Sequence, residues 1–370
     1  MTSYSSLASE IKDIINRSLL QGVFPGGVIA LGDPLAEPQI IAFGKVGLTR
    51  DLRAVSPQTV YDLASVTKLV ATTHLLMLAL KSGPLACTTS LASLGFKCPP
   101  LTSCLTLEEL LSHQSGLPAW RPLYHAKMST LAERKERALA DILAEPLLFT
   151  PKDRSLYSDL GFILLGEILE ANYKSTLPSL FSQKIAIPLA LTSSFYSPRF
   201  NPLMDTFPFP PDLAPTEDGG RKPGPLNYPG LGSYGPVPWG SPHDDNCSYL
   251  NGAAGHAGLF STAHDLWKIL RSFAASLIED SSFLPKELMK DFLSPRVAKD
   301  GSERALGFNI FPLASGRKIL GHLGYTGTSL YWDPELCRGL ILLTNRCHPT
   351  SRNHLIDDFR KTLVDIIFNK

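Results

Sequence analysis

The sequence predicts an α+β fold. One antiparallel sheet is built from strands at both ends of the chain and flanked by N- and C-terminal helices. A mainly helical lobe lies between, with a site in the cleft where sheet and helices meet. Three observations predict this. Strand signals cluster near residues 26–47 and again after residue 304. The middle of the chain carries helical periodicity and capping signals. Amphipathic helices open and close the sequence.

The elements follow in order. Leu7, Ile11, Ile14, Ile15 and Leu19 have helical spacing and predict a helix packed on a body. "GGVIALG" (26–32) and "QIIAFGKVG" (39–47) predict two strands of a hairpin. "DLASVTKLVATTHLLMLALKSG" predicts a buried helix, with Asp62 as its N-cap. "TLEELLSHQSG" opens with Thr106 and Glu109 at capping-box spacing and stops at Gly116. Residues 129–145 and 158–172 predict further amphipathic helices. Between 198 and 242 proline and glycine dominate, which precludes regular helix or central strand and predicts a long loop. "TAHDLWKILRSFAASL" (262–277) is a capped helix. "ALGFNIFPL", "RKILGHLG", "GTSLYWDP" and "GLILLTN" are strand signals, and residues 353–368 form a last amphipathic helix. The whole reads as one domain over 1–370. Residues 1–62 and about 262–370 make the sheet lobe, about 63–197 the helical lobe, and 198–242 the Pro/Gly-rich loop.

Composition removes several classes of function. The chain has 370 residues, 44% hydrophobic and 19% charged, as in folded globular proteins. A formal net charge of +1 gives no reason to expect nucleic acid or an anionic membrane as partner. The longest apolar run, Leu69–Leu80, is short and broken by Thr72, Thr73 and His74, so no membrane span is expected. The N-terminus lacks a basic start and an unbroken apolar stretch, which points to the cytoplasm, or to export if a leader has been removed. The six cysteines (87, 98, 104, 247, 337, 347) include no C-x-x-C pair. They read as reduced thiols, with a Cys98–Cys104 disulfide open to an exported form. Nothing implies a cofactor, and oligomeric state has no signal.

Ser-x-x-Lys occurs at Ser9–Lys12, Ser65–Lys68 and Ser315–Lys318. Only Ser65 stands at the first turn of a helix that is then buried. Positions i and i+3 share a helix face, so the Lys68 ammonium can reach the Ser65 hydroxyl. The helix N-terminus favours negative charge developing on that oxygen. Burial of Lys68 would ease loss of its proton, making it a base. A capped helix with a snorkelling lysine would look the same.

Two further elements bear on this. Tyr157-Ser158-Asp159 enters a helix, where the tyrosine hydroxyl could shuttle a proton in the cleft or merely be half-buried. His322 and Gly324 in "GHLGYTGTSLYWDP" fall at the end of a strand lining the sheet side. Glycine there lets a substrate approach the strand edge. A core histidine and a hairpin turn are the plain alternative.

Ser-x-x-Lys, then Tyr-x-Asp, then His-x-Gly on a late strand resembles the penicillin-recognising serine hydrolases. More narrowly it resembles the class C β-lactamase-like family of β-lactamases, D,D-peptidases and carboxylesterases. "FPGGVIALG", "LLSHQSGLP", "YSDLGFILLGEILE", "APTE", "HDDN", "GAAGHAGLFSTAHDL" and "GHLGYTGTSLYWDP…LLTN" extend the resemblance over about residues 23–347. It implies the β-lactamase/transpeptidase fold. It also implies that Ser65 is acylated and that Lys68 and Tyr157 share proton transfer. Asp159, where many members have asparagine, would hold Lys68. The backbone N–H groups of Ser65 and Tyr325 would form the oxyanion hole, and water would complete the cycle.

The third motif departs from the lysine form. His322 is mostly neutral at pH 7, and Leu323 replaces a small hydroxyl residue. Both changes favour neutral esters over penicillins or D-alanyl peptides. The expectation is therefore a serine hydrolase acting on small-acyl esters. A D,D-peptidase or penicillin-binding protein, a weak β-lactamase, and an inactive binding protein on the same fold are the alternatives. The partners are correspondingly a small-molecule ester, a β-lactam or a D-alanyl peptide. His113, His256 and "HDDN" (243–246) read as structural, holding turns, and no metal site is expected. Absence of G-x-S-x-G excludes the α/β-hydrolase elbow. Tyr228, Tyr234 and Trp239 are candidate walls of the cleft.

Overall fold

The computed structural model of the chain describes residues 4–49, 51–83, 85–125, 128–197, 212–218, 239–278 and 283–369. Helix α1 (Tyr4–Leu20) leads into β1 (Gly26–Gly32) and β2 (Gln39–Gly44). The middle runs through β3 (Tyr61–Asp62), α2 (His74–Ser82), α3 (Pro100–Ser103), α4 (Leu107–Leu111) and α5 (Leu131–Ala144). It continues with α6 (Asp159–Tyr173), α7 (Leu177–Phe181), β4 (Phe195–Tyr196), α8 (Asp245–Tyr249) and β5 (Leu259–Ser261). Then come α9 (Ala263–Ile278), α10 (Lys286–Leu293), β6 (Arg296–Val297), β7 (Glu303–Arg304) and β8 (Asn309–Pro312). The chain ends with β9 (Lys318–Leu323), β10 (Ser329–Asp333), β11 (Arg338–Thr344) and α11 (Ile356–Phe368).

As expected, strands from both ends share one antiparallel sheet, in the order β2-β1-β11-β10-β9-β8. β1 pairs with β11 from Gly27 opposite Thr344 to Gly32 opposite Gly339. Side-chain alternation builds a core on each face. Ile29, Leu31, Ile319, Tyr331, Leu340 and Leu342 pack with Ile11, Ile14 and Ile15 of α1 and Phe359, Leu363 and Ile367 of α11. Val28, Ala30, Leu320, Leu330, Trp332, Ile341 and Leu343 face the other way, onto α9 and the helical middle. Each valine, leucine, isoleucine or phenylalanine among them contributes about 1.5–3 kcal/mol on burial. A one-residue slip would exchange the two faces, so the pattern pins the register. His322 pairs with Leu330 and shares its face, turned toward the helical middle.

Several local expectations change. The run after Ser65 opens as a π-helix, Lys68–Thr73, before α2 begins at His74. Such wide turns are frequent at functional sites. Asp62 does not cap that helix: its carboxylate accepts from Ala64 N at 2.9 Å and His243 N at 2.7 Å. The Thr106 capping box is present, but α4 ends at Leu111 and His113 adopts φ +57° before Gly116 is reached. A second capping box, Thr130 with Glu133, opens α5. Helix α10 and the short sheets β3-β5-β4 and β6-β7 went unread in the sequence. All six cysteines are free thiols, so no Cys98–Cys104 bridge forms. Most of the 198–242 loop, with Tyr228 and Tyr234, lies outside the described residues. Among the described residues no helix is long and apolar enough to cross a membrane.

Candidate active site

The site forms where three chain segments meet the end of β9. The first is the turn before the π-helix. Ala64 takes φ +46°, a conformation that costs a non-glycine residue energy and is typical of functional turns. Asp62, buried beneath it, accepts the Ala64 and His243 N–H groups. Its carboxyl is pushed up by burial despite those two donors. Ser65 follows, half-buried at the surface of this turn.

Lys68 is completely buried, and its Nζ has four polar partners, the Tyr157 hydroxyl among them. It lies 2.9 Å from Ser65 Oγ, 3.1 Å from His256 O and 2.7 Å from Asp159 Oδ1. It also lies 4.9 Å from the centre of the Tyr157 ring. Close packing of glycines makes the second partner available. Any Cβ on Gly255 would meet Gly166 of α6 at 3.0 Å or less, so only glycine lets the loop carry His256 O down to Lys68. Burial alone would draw the proton from Lys68. Asp159 first, and then Tyr157, outweigh burial, so the ammonium is held above the usual lysine range. Burial was expected to make Lys68 an easy base; the neighbouring carboxylate reverses that direction. The Tyr157 hydroxyl is likewise raised, by burial and by Asp159 against the opposing charge of Lys68.

The second segment presents Tyr157 and Asp159 at the start of α6. Ser158 caps this helix, its Oγ accepting from Gly161 N at 3.3 Å. His113 Nδ1 accepts from Ser158 N at 3.1 Å, and its ring lies 4.6 Å from that of Tyr157. His113 is neutral, since burial and the charges of Arg304 and Lys68 hold it well below the ordinary histidine range. It holds a turn, as its sequence context indicates, and the turn it holds is the one that aims Tyr157.

The third segment is the β9–β10 turn. Thr326 Oγ1 donates to Asp62 O at 2.7 Å and Thr328 Oγ1 to Leu63 O at 2.9 Å. Gly324 fits between them: a Cβ there would fall well inside 3.0 Å of Thr328 Oγ1 and Leu63 O. The turn is thus stitched to the two residues that precede Ala64 and Ser65. Among the described residues, the backbone N–H groups of Ser65 and Tyr325 have no backbone acceptor. The Tyr325 side chain is exposed, between the His243 ring (5.3 Å) and the Arg346 guanidinium (4.2 Å).

His322 is 1% exposed, with its ring 5.9 Å from that of Tyr157. Its Nδ1 contacts Leu323 O at 2.9 Å, and its Nε2 is buried without a partner. Burial first, then the charges of Lys68 and Arg304, push it down to about 3, so the imidazole is neutral at physiological pH. Arg304 carries no signal in the sequence and went unread there. Its guanidinium carbon lies 5.8 Å from the Tyr157 ring centre, brought there by β7.

The remaining readings sort plainly. "HDDN" caps and anchors a short helix: Asp244 Oδ1 accepts from Cys247 N, and Asn246 bridges Leu123 N and Arg121 O. His256 Nε2 meets Asp244 Oδ1 at 2.7 Å, which fixes the loop whose carbonyl reaches Lys68. His243 pairs with Glu217 at 2.8 Å. Burial would raise the Glu217 carboxyl, but His243 and Ser351 together draw it down to about 2. Trp239 is half-buried with an unpartnered Nε1. Among the described residues no His, Cys, Asp or Glu cluster is set to hold a metal ion.

A buried lysine bonded to a serine hydroxyl, a tyrosine beside it and a docked glycine turn can perform acyl transfer to a serine. The beta-lactamase family model matches residues 39–361. The chain belongs to the beta-lactamase family. It is a serine hydrolase of that superfamily, which also holds penicillin-binding proteins. A protein of Escherichia coli strain K12 named "Putative D-alanyl-D-alanine carboxypeptidase" is 29% identical over 327 residues, 82% of this chain and 73% of its own length. The D-amino acid amidase of Ochrobactrum anthropi SV3 superposes with a TM-score of 0.72 at 19% identity, over 98% of this chain and 99% of that one. EstCE1, a hydrolase with promiscuous acyltransferase activity, superposes with a TM-score of 0.72 at 20% identity, again over 98% and 99%. The octameric penicillin-binding protein homologue from Pyrococcus abyssi gives 0.71 at 21% identity, over 96% and 77%. At these identities the solved structures establish the fold of this hydrolase and leave its substrate open.

Proposed function

We propose that this beta-lactamase-family hydrolase cleaves esters carrying a small acyl group through an acyl-enzyme on Ser65. The observation that carries the reading is the Lys68 ammonium, buried and shared between Ser65 Oγ at 2.9 Å and Asp159 Oδ1 at 2.7 Å. Ser65 Oγ attacks the ester carbonyl carbon. Its proton passes to the Lys68–Tyr157 pair, which becomes a base when it has lost one proton, whichever member has given it up. The Ser65 and Tyr325 N–H groups stabilise the oxyanion. The ester C–O bond breaks, and the pair returns the proton to the leaving alkoxide. Water then repeats the sequence on the acyl-serine and frees the acid.

The neutral, buried His322 supports esters over penicillins, because it supplies no fixed positive charge on β9 for a β-lactam carboxylate. A second reading, release of D-alanine from a peptide, is favoured by the curated relatives of that name. Stopped-flow hydrolysis of p-nitrophenyl butyrate tests the first. A burst stoichiometric with enzyme, absent in Ser65→Ala, is expected. Full turnover by Ser65→Ala would overturn it. D-alanine release without ester turnover would select the second.

A further inference from the structure

Arg304 is half-buried on β7, beside the Tyr157 ring. One guanidinium nitrogen donates to Asn309 Oδ1. Among the described residues no carboxylate lies within ion-pair distance of it. Arg53, Arg121, Arg271, Arg296 and Arg317 each rest on a carboxylate, and the buried Arg346 is held by three backbone carbonyls, whereas the one acceptor of Arg304 is a neutral amide oxygen. Inside the site, Asp159 already neutralises Lys68, and His322 carries no charge. The positive charge of Arg304 is therefore left over, close enough to be felt at both His113 and His322. A partly desolvated cation without a counter-ion is costly, and a ligand anion would relieve that cost. Guanidinium is also the side chain whose fork matches a carboxylate.

We propose that Arg304 is a specificity residue of this site and selects ester substrates whose leaving group carries a carboxylate. This cation stands on β7, on the Tyr157 side of the cleft, and not at the β9 position where His322 supplies none. A carboxylate on the leaving group would lie along Tyr157, the group that helps return the proton to it. The proposal rests on the ester-hydrolase reading above.

Two acetyl esters that differ by one methyl group, and so in charge, test it through release of acetate: 3-acetoxybenzoate and its methyl ester. A charge-assisted hydrogen bond is worth roughly 1.5–3 kcal/mol, about 10- to 150-fold. Wild type should prefer the carboxylate in kcat/KM by about 10-fold or more. Arg304→Gln should lose that preference through a selective fall in kcat/KM for the carboxylate, and a melting curve beside wild type reports that it folds. Arg304→Lys should recover part of the preference. Equal loss on both esters would overturn the proposal and leave Arg304 as a prop for Tyr157. A wild type with no preference would overturn it too. If wild type turned over neither ester, the hydrolase reading would fail separately. Calorimetric titration with 3-hydroxybenzoate would still decide Arg304. Binding lost in Arg304→Gln supports the assignment; binding unchanged, or absent in wild type, refutes it.

Discussion

Gly324→Ala should damage catalysis through geometry alone. Its backbone has no positive φ, so alanine is allowed there conformationally. The obstacle is space. The new methyl would sit well inside 3.0 Å of Thr328 Oγ1 and of Leu63 O. The threonine hydroxyl can rotate, at the loss of its 2.9 Å bond to Leu63 O. The Leu63 carbonyl is backbone and cannot. Arg360 also holds the turn from below, donating to Gly324 O and Thr328 O at 2.7 Å each. The turn must therefore back away from Asp62–Ser65, and the Tyr325 N–H goes with it. Overpacking of this kind costs about 1–3 kcal/mol of stability. Misplacing one oxyanion donor costs about 10²–10³ in kcat, or roughly 2.7–4 kcal/mol. The assay is burst and steady-state hydrolysis of p-nitrophenyl butyrate beside a melting curve. Gly161→Ala is the control, since its φ is not positive and its Cβ would meet Leu110 only at ordinary contact distances, 3.6 and 3.8 Å. A folded Gly324→Ala with kcat within about threefold of wild type would refute the idea that this turn positions the donor.

Asp159→Asn removes the charge that keeps a proton on the Lys68–Tyr157 pair, so that proton should leave more readily. The wild-type kcat/KM is expected to rise with pH into the alkaline range, and the rising limb should move to lower pH in Asp159→Asn; an unmoved limb would contradict the assignment. His74 is buried between Phe273 and Phe283, and burial, opposed only in part by the Val70 backbone, pushes it down to about 3. The unfolded imidazole takes up a proton below about pH 6.5 and the folded one does not, so stability falls as pH drops from there toward 3. His74→Leu should flatten urea-derived stability against pH by about 1.4 kcal/mol per pH unit over that window; an unchanged slope would show that His74 does not titrate this way.

The sheet was legible because its strands alternate and both of its faces are buried. On β1, Val28 enters one core and Ile29 the other; on β11, Ile341 and Leu342 divide in the same way. The Ser65, Lys68, Tyr157 and Asp159 cluster could be anticipated from short motifs, since i,i+3 spacing already brings Ser65 and Lys68 together. What escaped was set by long-range contact. Arg304 lies in "SERALGF", which has no local signal, and only the packing of β7 brings it to Tyr157. The link from Asp62 to His243 spans 181 positions. The protonation of Lys68 escaped for a related reason: its sign depends on whether burial or a carboxylate 2.7 Å away dominates, and sequence gives neither distance nor depth.

The central claim is that Ser65 carries the acyl group. The most direct measurement is the intact mass of the protein quenched in acid during turnover of p-nitrophenyl butyrate, followed by peptide mapping. A butyryl adduct is expected on the peptide containing Ser65, absent in Ser65→Ala. Turnover by wild type with no adduct at any quench time and no burst, or an adduct that persists in Ser65→Ala, would contradict it.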